Sequence, residues 1–442
     1  MVRTFFQDFS KLFVAWTLVS SVATITSAFS PNTNRRVVRT KIRPLQMLSS
    51  TKEKEGSVAV KHVVIAGGGV IGTCTSYYLA KNFGISSTIV DPSGEIAPAA
   101  SGKAGGFLAL DWNDMSPIRN LARRSFALHQ SLADALGAQK IDYRRLTCAS
   151  IGVDANRRRP SGKKFDNVEW AKDDATDGNT SVVSFQLIGN EESIAQVHPK
   201  KLCQSLWEES CRLIQSGAGA QRENQLIKGK VVSMVKQEGS GSSVGVQLED
   251  GQVLEADAVL LACGPWTANI MTGVKYHSVI IPTQEVLSQC VFFAGCGDPE
   301  VYVRPDSTAY CTGFPDAPVR VTEQPGQECV RYDAVEKIIS AVRTASGKSE
   351  KSALAGEPAL TQACYLPSTP DGLPIMGPLP KESVDGCENC YVAAGHSCWG
   401  ILLGPATGET MANLIATGAT ATDHVSLGAF QPARFRNIEP FL

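Results

Sequence analysis

An α/β fold, with a Rossmann-like nucleotide-binding domain interleaved with a β-rich second domain, is predicted by three observations. The first is "HVVIAGGGVIG", where an apolar, β-branched run meets a glycine turn and then a helical pattern. The second lies some three hundred residues later, where "CYLPSTPDGLPIMGPLP" and "AAGHSCWGILLGPATGE" set glycines and prolines among strand-like and helix-like text. The third is the region between, in which "PEVYVRPDSTAYCTGFP" reads as two strands around a turn.

Composition bounds the class. Of 442 residues, 43% are hydrophobic and 19% charged, with a net charge of −1. That is ordinary globular usage, enough for two to three domain-sized units. Without a basic excess, the expected partner is a small molecule and not nucleic acid. Thirteen cysteines cannot all pair, so they read as buried or reduced thiols and not as a disulfide framework.

The first fifty-five residues read as targeting text. Residues 1–28 carry a basic start, the apolar "LFVAWTLVSSVATIT" and small residues for cleavage, and so predict a signal peptide. The apolar run is short for a membrane span, and no stable span is expected in the mature chain. Residues 29–55 open with acid-free, arginine- and hydroxyl-rich text typical of a transit peptide. The join at "TSAFSP" resembles the bipartite presequence of algae with complex plastids. A plastid address is therefore expected, with secretion or a mitochondrial address as alternatives.

In the front half, Lys61 to Ala66 reads as a buried strand and Val70 to Phe83 as a helix ending at Gly84. Gly67-x-Gly69-x-x-Gly72 sits between them. Gly67 permits the tight turn, Gly69 lets the backbone approach a pyrophosphate, and Gly72 lets helix and strand pack closely. The free N–H groups at the helix start, Val70 and Ile71, hold phosphate. "SSTIVDPSG" is a second strand ending in Asp91, nineteen residues past Gly72, placed to accept from a ribose hydroxyl. The motif alone leaves NAD and FAD undivided.

Further along, His198-Pro199 caps an amphipathic helix with Leu202, Cys203 and Leu206 on one face. "GKVVSMV", 229–235, reads as a strand, "QEGSGSS" as a turn, and Gln252 to Gly264 as one apolar strand ending in "ACGPWT". The charged run 156–179 reads as a surface insertion, and His277 to Glu357 leans towards β-sheet. Cys387-x-x-Cys390 has no second cysteine pair and predicts a surface turn, with no metal site.

Ala100-Ser101, Gly105-Gly106 and Trp112 resemble the loop beside the flavin in the D-amino acid oxidase (DAO) superfamily, which includes glycine and sarcosine oxidases. "ACGPWT", "TPDGLPIMG" and "YVAAGHSCWGILLGPATGE" resemble three further elements of that family, so the likeness spans about 61–442. It implies a glutathione-reductase-2 or DAO-like fold holding FAD. The FAD-binding domain would comprise 58–112, 195–276 and 360–442, and the substrate domain 113–194 and 277–359.

The resemblance implies that Ser101, Lys103, Val232, Gly264, Trp266, Cys364, Gly395, Gly400, Ile401 and Leu402 join the front turn around the cofactor. The helix start after Gly400 would stabilise negative charge on the reduced ring. Cys364 stands where sarcosine-oxidase relatives link flavin covalently. Leu366 replaces the carboxylate-binding arginine of glycine oxidase, with Arg304 as substitute, and Leu402 replaces the lysine that activates oxygen, with Lys103 as substitute cation. The implied reaction is oxidation of a C–N bond in a small amine or amino acid by hydride transfer to flavin N5, with O2 or another acceptor. Two alternatives stay open: a flavoprotein binding or assembly factor with vestigial catalysis, and an NAD-linked dehydrogenase.

Overall fold

The first sheet is built from strands too short to be stable alone and too apolar to face water. β1 (His62–Ala66) and β2 (Ser86–Asp91) are buried along their whole lengths, as expected of parallel strands covered on both faces. Six strands run in the order Gln225–Lys228, β2, β1, Ala258–Leu261, Cys390–Ala394, Ile375–Pro378. All are parallel except the last. Strand alternation sends Val63 and Ile65 into one core and Val64 and Ala66 into another. The first core is closed by helices, the second by an antiparallel three-stranded sheet, Val231–Lys236, Ser243–Leu248 and Val253–Glu255.

This is a computed structural model. It describes residues 60–156, 159–160, 179–217, 222–236, 243–347, 352–384 and 386–440. The predicted signal and transit segments, most of the charged 156–179 run and the 237–242 turn lie outside the described residues. Residues 59–442 form one compact unit. No helix among the described residues is long and apolar enough to cross a membrane.

Six helices are described: α1 (Val70–Phe83), α2 (Ala100–Lys103), α3 (Arg119–Leu136), α4 (Pro199–Ser216), α5 (Tyr332–Ser346) and α6 (Gly400–Thr417). α1 packs against both α4 and α6, and α3 against α6. The α1 boundaries coincide with the sequence reading, and Gly84 closes the helix at φ 64°. His198 caps α4 by accepting from the Lys201 N–H.

Two sequence expectations need correction. The apolar run 252–264 is two strands in two sheets, because the chain turns at Asp257. The Asp257 carboxylate accepts the Lys61 and His62 N–H groups, at 2.8 and 2.9 Å, and so aligns the second strand with β1. The region 277–357 is not β alone, since α5 lies within it. Its Val335, Ile338 and Val342 recur at helical spacing and bury against the second sheet.

That second sheet is two-faced. Its order is Pro318–Val319, Thr272–Pro282, Thr308–Gly313, Glu300–Arg304, Gln289–Ala294, Thr147–Val153, Val182–Gly189, with Leu360–Ser368 on the other edge of Thr272–Pro282. The expected hairpin around residue 306 is present. Val301, Val303, Ala309 and Cys311 point into the core under α5. Alternation puts Glu300, Tyr302, Arg304, Tyr310 and Tyr276 on the opposite face.

Candidate functional site

A cleft of about 990 Å³ runs from the front glycine turn to the start of α6. Gly67, Gly69, Val70, Ile71 and Asp91 line it from the β1–α1–β2 unit, together with Ser101. Gly264 and Trp266 line its middle, and Gly395, Gly400 and Ile401 its far end. Residues from both ends of the chain thus face one space.

The front turn is held without slack. Gly67 has φ +109°, and a Cβ there would come within 2.4 Å of the Ala262 carbonyl. A Cβ on Gly72 would lie 2.1 Å from the Gly67 carbonyl and 3.2 Å from Ile65. Gly72 therefore lies beneath the cleft, not in its lining, and its job is to bring α1 onto β1. α1 starts at Gly69 with no cap from its own N-terminal residue. The Ser101 hydroxyl takes the Val70 N–H at 2.9 Å, the kind of replaceable partner that an incoming phosphate oxygen can supplant. Asp91 is fixed by the Gly68 N–H at 3.0 Å, and by the N–H and hydroxyl of Ser93 at 3.0 and 2.7 Å.

The far end explains the punctuation noted in the sequence. Thr369 packs under Gly395, whose Cβ would meet the Thr369 methyl at 2.7 Å. The Thr369 hydroxyl bonds to Leu373 O, and Asp371 is clamped by Arg434 at 2.7 Å. The TPDG turn is thus the floor on which the Gly395 turn rests. His396 is buried against the Thr407 hydroxyl at 3.0 Å; desolvation pulls its pKa down to about 3, so it is neutral.

α6 starts with no side-chain cap and no acid in its first turn. Its orphan N–H groups and positive dipole end are directed at the cleft. Pro405 inside α6 removes the donor that Ile401 O would otherwise receive. His129 of α3 replaces it, with Nε2 2.9 Å from Ile401 O, and Ser125 Oγ accepts the Ala406 N–H at 3.0 Å. Since a carbonyl only accepts, Nε2 carries the proton. Burial lowers the His129 pKa to about 4, against the pull of the Ile401 and Leu402 carbonyls. Sequence reasoning missed this stitch; Pro405 signals a missing donor but not which helix supplies it.

Several predicted residues are not in the lining. Val232 is displaced by its neighbour Val231, because alternation turns Val231 inward. The Leu402 side chain is 1% exposed and sits in the helix-layer core. Lys103 is turned away: its ammonium pairs with Glu328 at 3.2 Å and donates to Ala363 O at 3.0 Å. Arg304 is 6% exposed, donates to Ala104 O at 3.1 Å and lies over the Tyr310 ring, supporting the glycine loop from behind. Cys364 is buried outside the lining, its thiol pushed up to about 12 by desolvation while Lys103 pulls the other way. A thiol so protonated is a poor nucleophile. Acid precipitation of the yellow protein is therefore expected to leave its flavin in the supernatant; colour in the pellet would show a covalent link.

A segment the sequence did not flag closes the cleft. Pro318 to Pro325 lines one side, and Thr322 O accepts the Trp266 indole N–H at 2.6 Å. Arg320 in this strap presents a cation to the cleft. Cys387 and Cys390 are both buried, and no metal-binding group occurs among the described residues.

A cleft with a helix start at each end, glycines along its lining and an acid at the ribose position fits an extended flavin dinucleotide. The fold and site define a flavoprotein oxidoreductase. The chain belongs to the DAO family of FAD-dependent oxidoreductases, whose match spans residues 62–414. It is 30% identical over 401 residues to a Schizosaccharomyces pombe protein named as an oxidoreductase, covering 83% of this chain and 97% of that one. It is 26% identical over 381 residues to glycine oxidase of Pseudomonas putida, covering 81% and 95%. The structure of glycine oxidase from Geobacillus kaustophilus superposes with a TM-score of 0.65 at 21% identity, covering 85% of this chain and 99% of that one. FAD is the cofactor.

Proposed function

We propose that the protein oxidises a C–N bond of a small amine or amino acid, with FAD as the two-electron acceptor. One observation carries the reading: the Gly67 turn and the start of α6 line the same cleft, which Thr272 and Leu366 of the second sheet also line. Bound FAD supplies a hydride acceptor. The chain's part is to bind, align and exclude water. The α6 start offers N–H groups and a dipole to charge developing at its end of the cleft. His129 and Ser125 hold that start in place across the Pro405 break. Phe292 and Tyr302 of the second sheet pack with Phe107 and Trp112 from outside it into an aromatic cluster beside its polar face.

The substrate must arrive with a free nitrogen lone pair, and it leaves as an imine that water hydrolyses. No side chain is assigned as general base. The alternative is a flavoprotein that binds or assembles without turnover. Mixing holoprotein anaerobically with sarcosine, glycine, proline, pipecolate and polyamines separates the two. Oxidation predicts loss of the oxidised flavin's visible absorbance with at least one of them; inertness throughout would favour the alternative.

A further inference from the structure

Resting on the reading above, we propose that Glu300 makes the site-facing side of the second sheet a receptor for a cationic nitrogen. The substrate then carries a positive group besides the bond that is oxidised. Glu300 stands on the same face as Tyr302, directly opposite Phe292 in the neighbouring strand. Around it, Phe107, Trp112, Phe292 and Tyr302 form a continuous wall with neighbouring ring centroids 5.1 to 5.7 Å apart. A carboxylate beside aromatic faces is the chemistry that selects an ammonium group.

The carboxylate has no cation of its own. Its hydrogen bond comes from the Tyr302 hydroxyl, and it forms no ion pair among the described residues. The candidate cations are engaged elsewhere. Lys103 is held by Glu328. Arg304, four residues along the strand and so about 13 Å away, donates one Nη to Ala104 O, while its buried Nε has no partner. A desolvated, unpaired carboxylate is costly, and a ligand cation relieves that cost. Its field also reaches the cleft. Cys398, an exposed residue of the cleft lining beside the α6 start, lies within that field. On the opposite count, Leu366 lines the cleft where the family's carboxylate-binding arginine would stand, and the cation in the lining is Arg320 of the strap, on another element.

The test uses full-length holoprotein and calorimetry with ethyltrimethylammonium, which has no lone pair and is not turned over, against propionate. The cation is expected to bind and propionate not. E300Q is expected to weaken cation binding at least tenfold, with flavin content unchanged and Tm not lowered, while E300D keeps part of the affinity. Should E300Q lose its flavin, the comparison passes to E300D, whose shorter reach must still cost affinity. Absence of cation binding in the wild type, or equal binding in both variants, overturns the proposal. Because the probe is not oxidised, failure here is distinct from an inert amine panel, which would sink only the oxidation reading.

Discussion

Gly72→Val is expected to abolish FAD retention and to destabilise the domain. Any Cβ at this position meets the Gly67 carbonyl at 2.1 Å, and the clash is with backbone that cannot rotate away. Overpacking of this kind costs about 1–3 kcal/mol or more, and here it displaces the phosphate turn itself. Gly400→Ala is the informative partner. Gly400 has φ −55°, and a Cβ there meets only His396 Cβ, at 3.8 Å. The fold tolerates it, so the apoprotein Tm should not move, while the methyl group intrudes on the cleft and weakens FAD at least tenfold. Fluorescence quenching of added FAD and thermal melts of the apoprotein separate the two outcomes. If both variants bound FAD like the wild type, the glycine cradle assigned here would be wrong.

Lys103→Met is expected to cost about 3 kcal/mol of stability, because it strands a carboxylate whose side chain is fully buried. Glu328 also accepts the Gly326 N–H at 2.9 Å, so its movement would loosen the segment leading from the strap. The double variant K103M/E328Q should recover most of the loss, since it leaves no charge unpaired. Urea unfolding of the three proteins measures this. The rate of flavin reduction per bound FAD should stay unchanged. A large fall in that rate without loss of stability would instead make Lys103 the cation at the flavin, as the sequence had suggested.

What the sequence by itself determined was local and periodic. The β1–glycine turn–α1 unit, the Gly84 stop, the His198 cap and the Glu300–Gly313 hairpin each follow from short-range sterics or alternation within a few residues. The family pattern added that the two ends of the chain share one flavin, which the cleft geometry fits. Only the tertiary structure decided where long side chains spend their charge. Lys103 and Arg304 lie on the right loop and strand, yet their terminal atoms are taken by Glu328 and Ala104 O, partners 225 and 200 residues away. The same holds for the pairing of His129 with Ile401 O and for the Thr322 strap over Trp266. A backbone turn is fixed by its own residues, whereas a charged side chain goes to whichever distant partner the packing brings within reach.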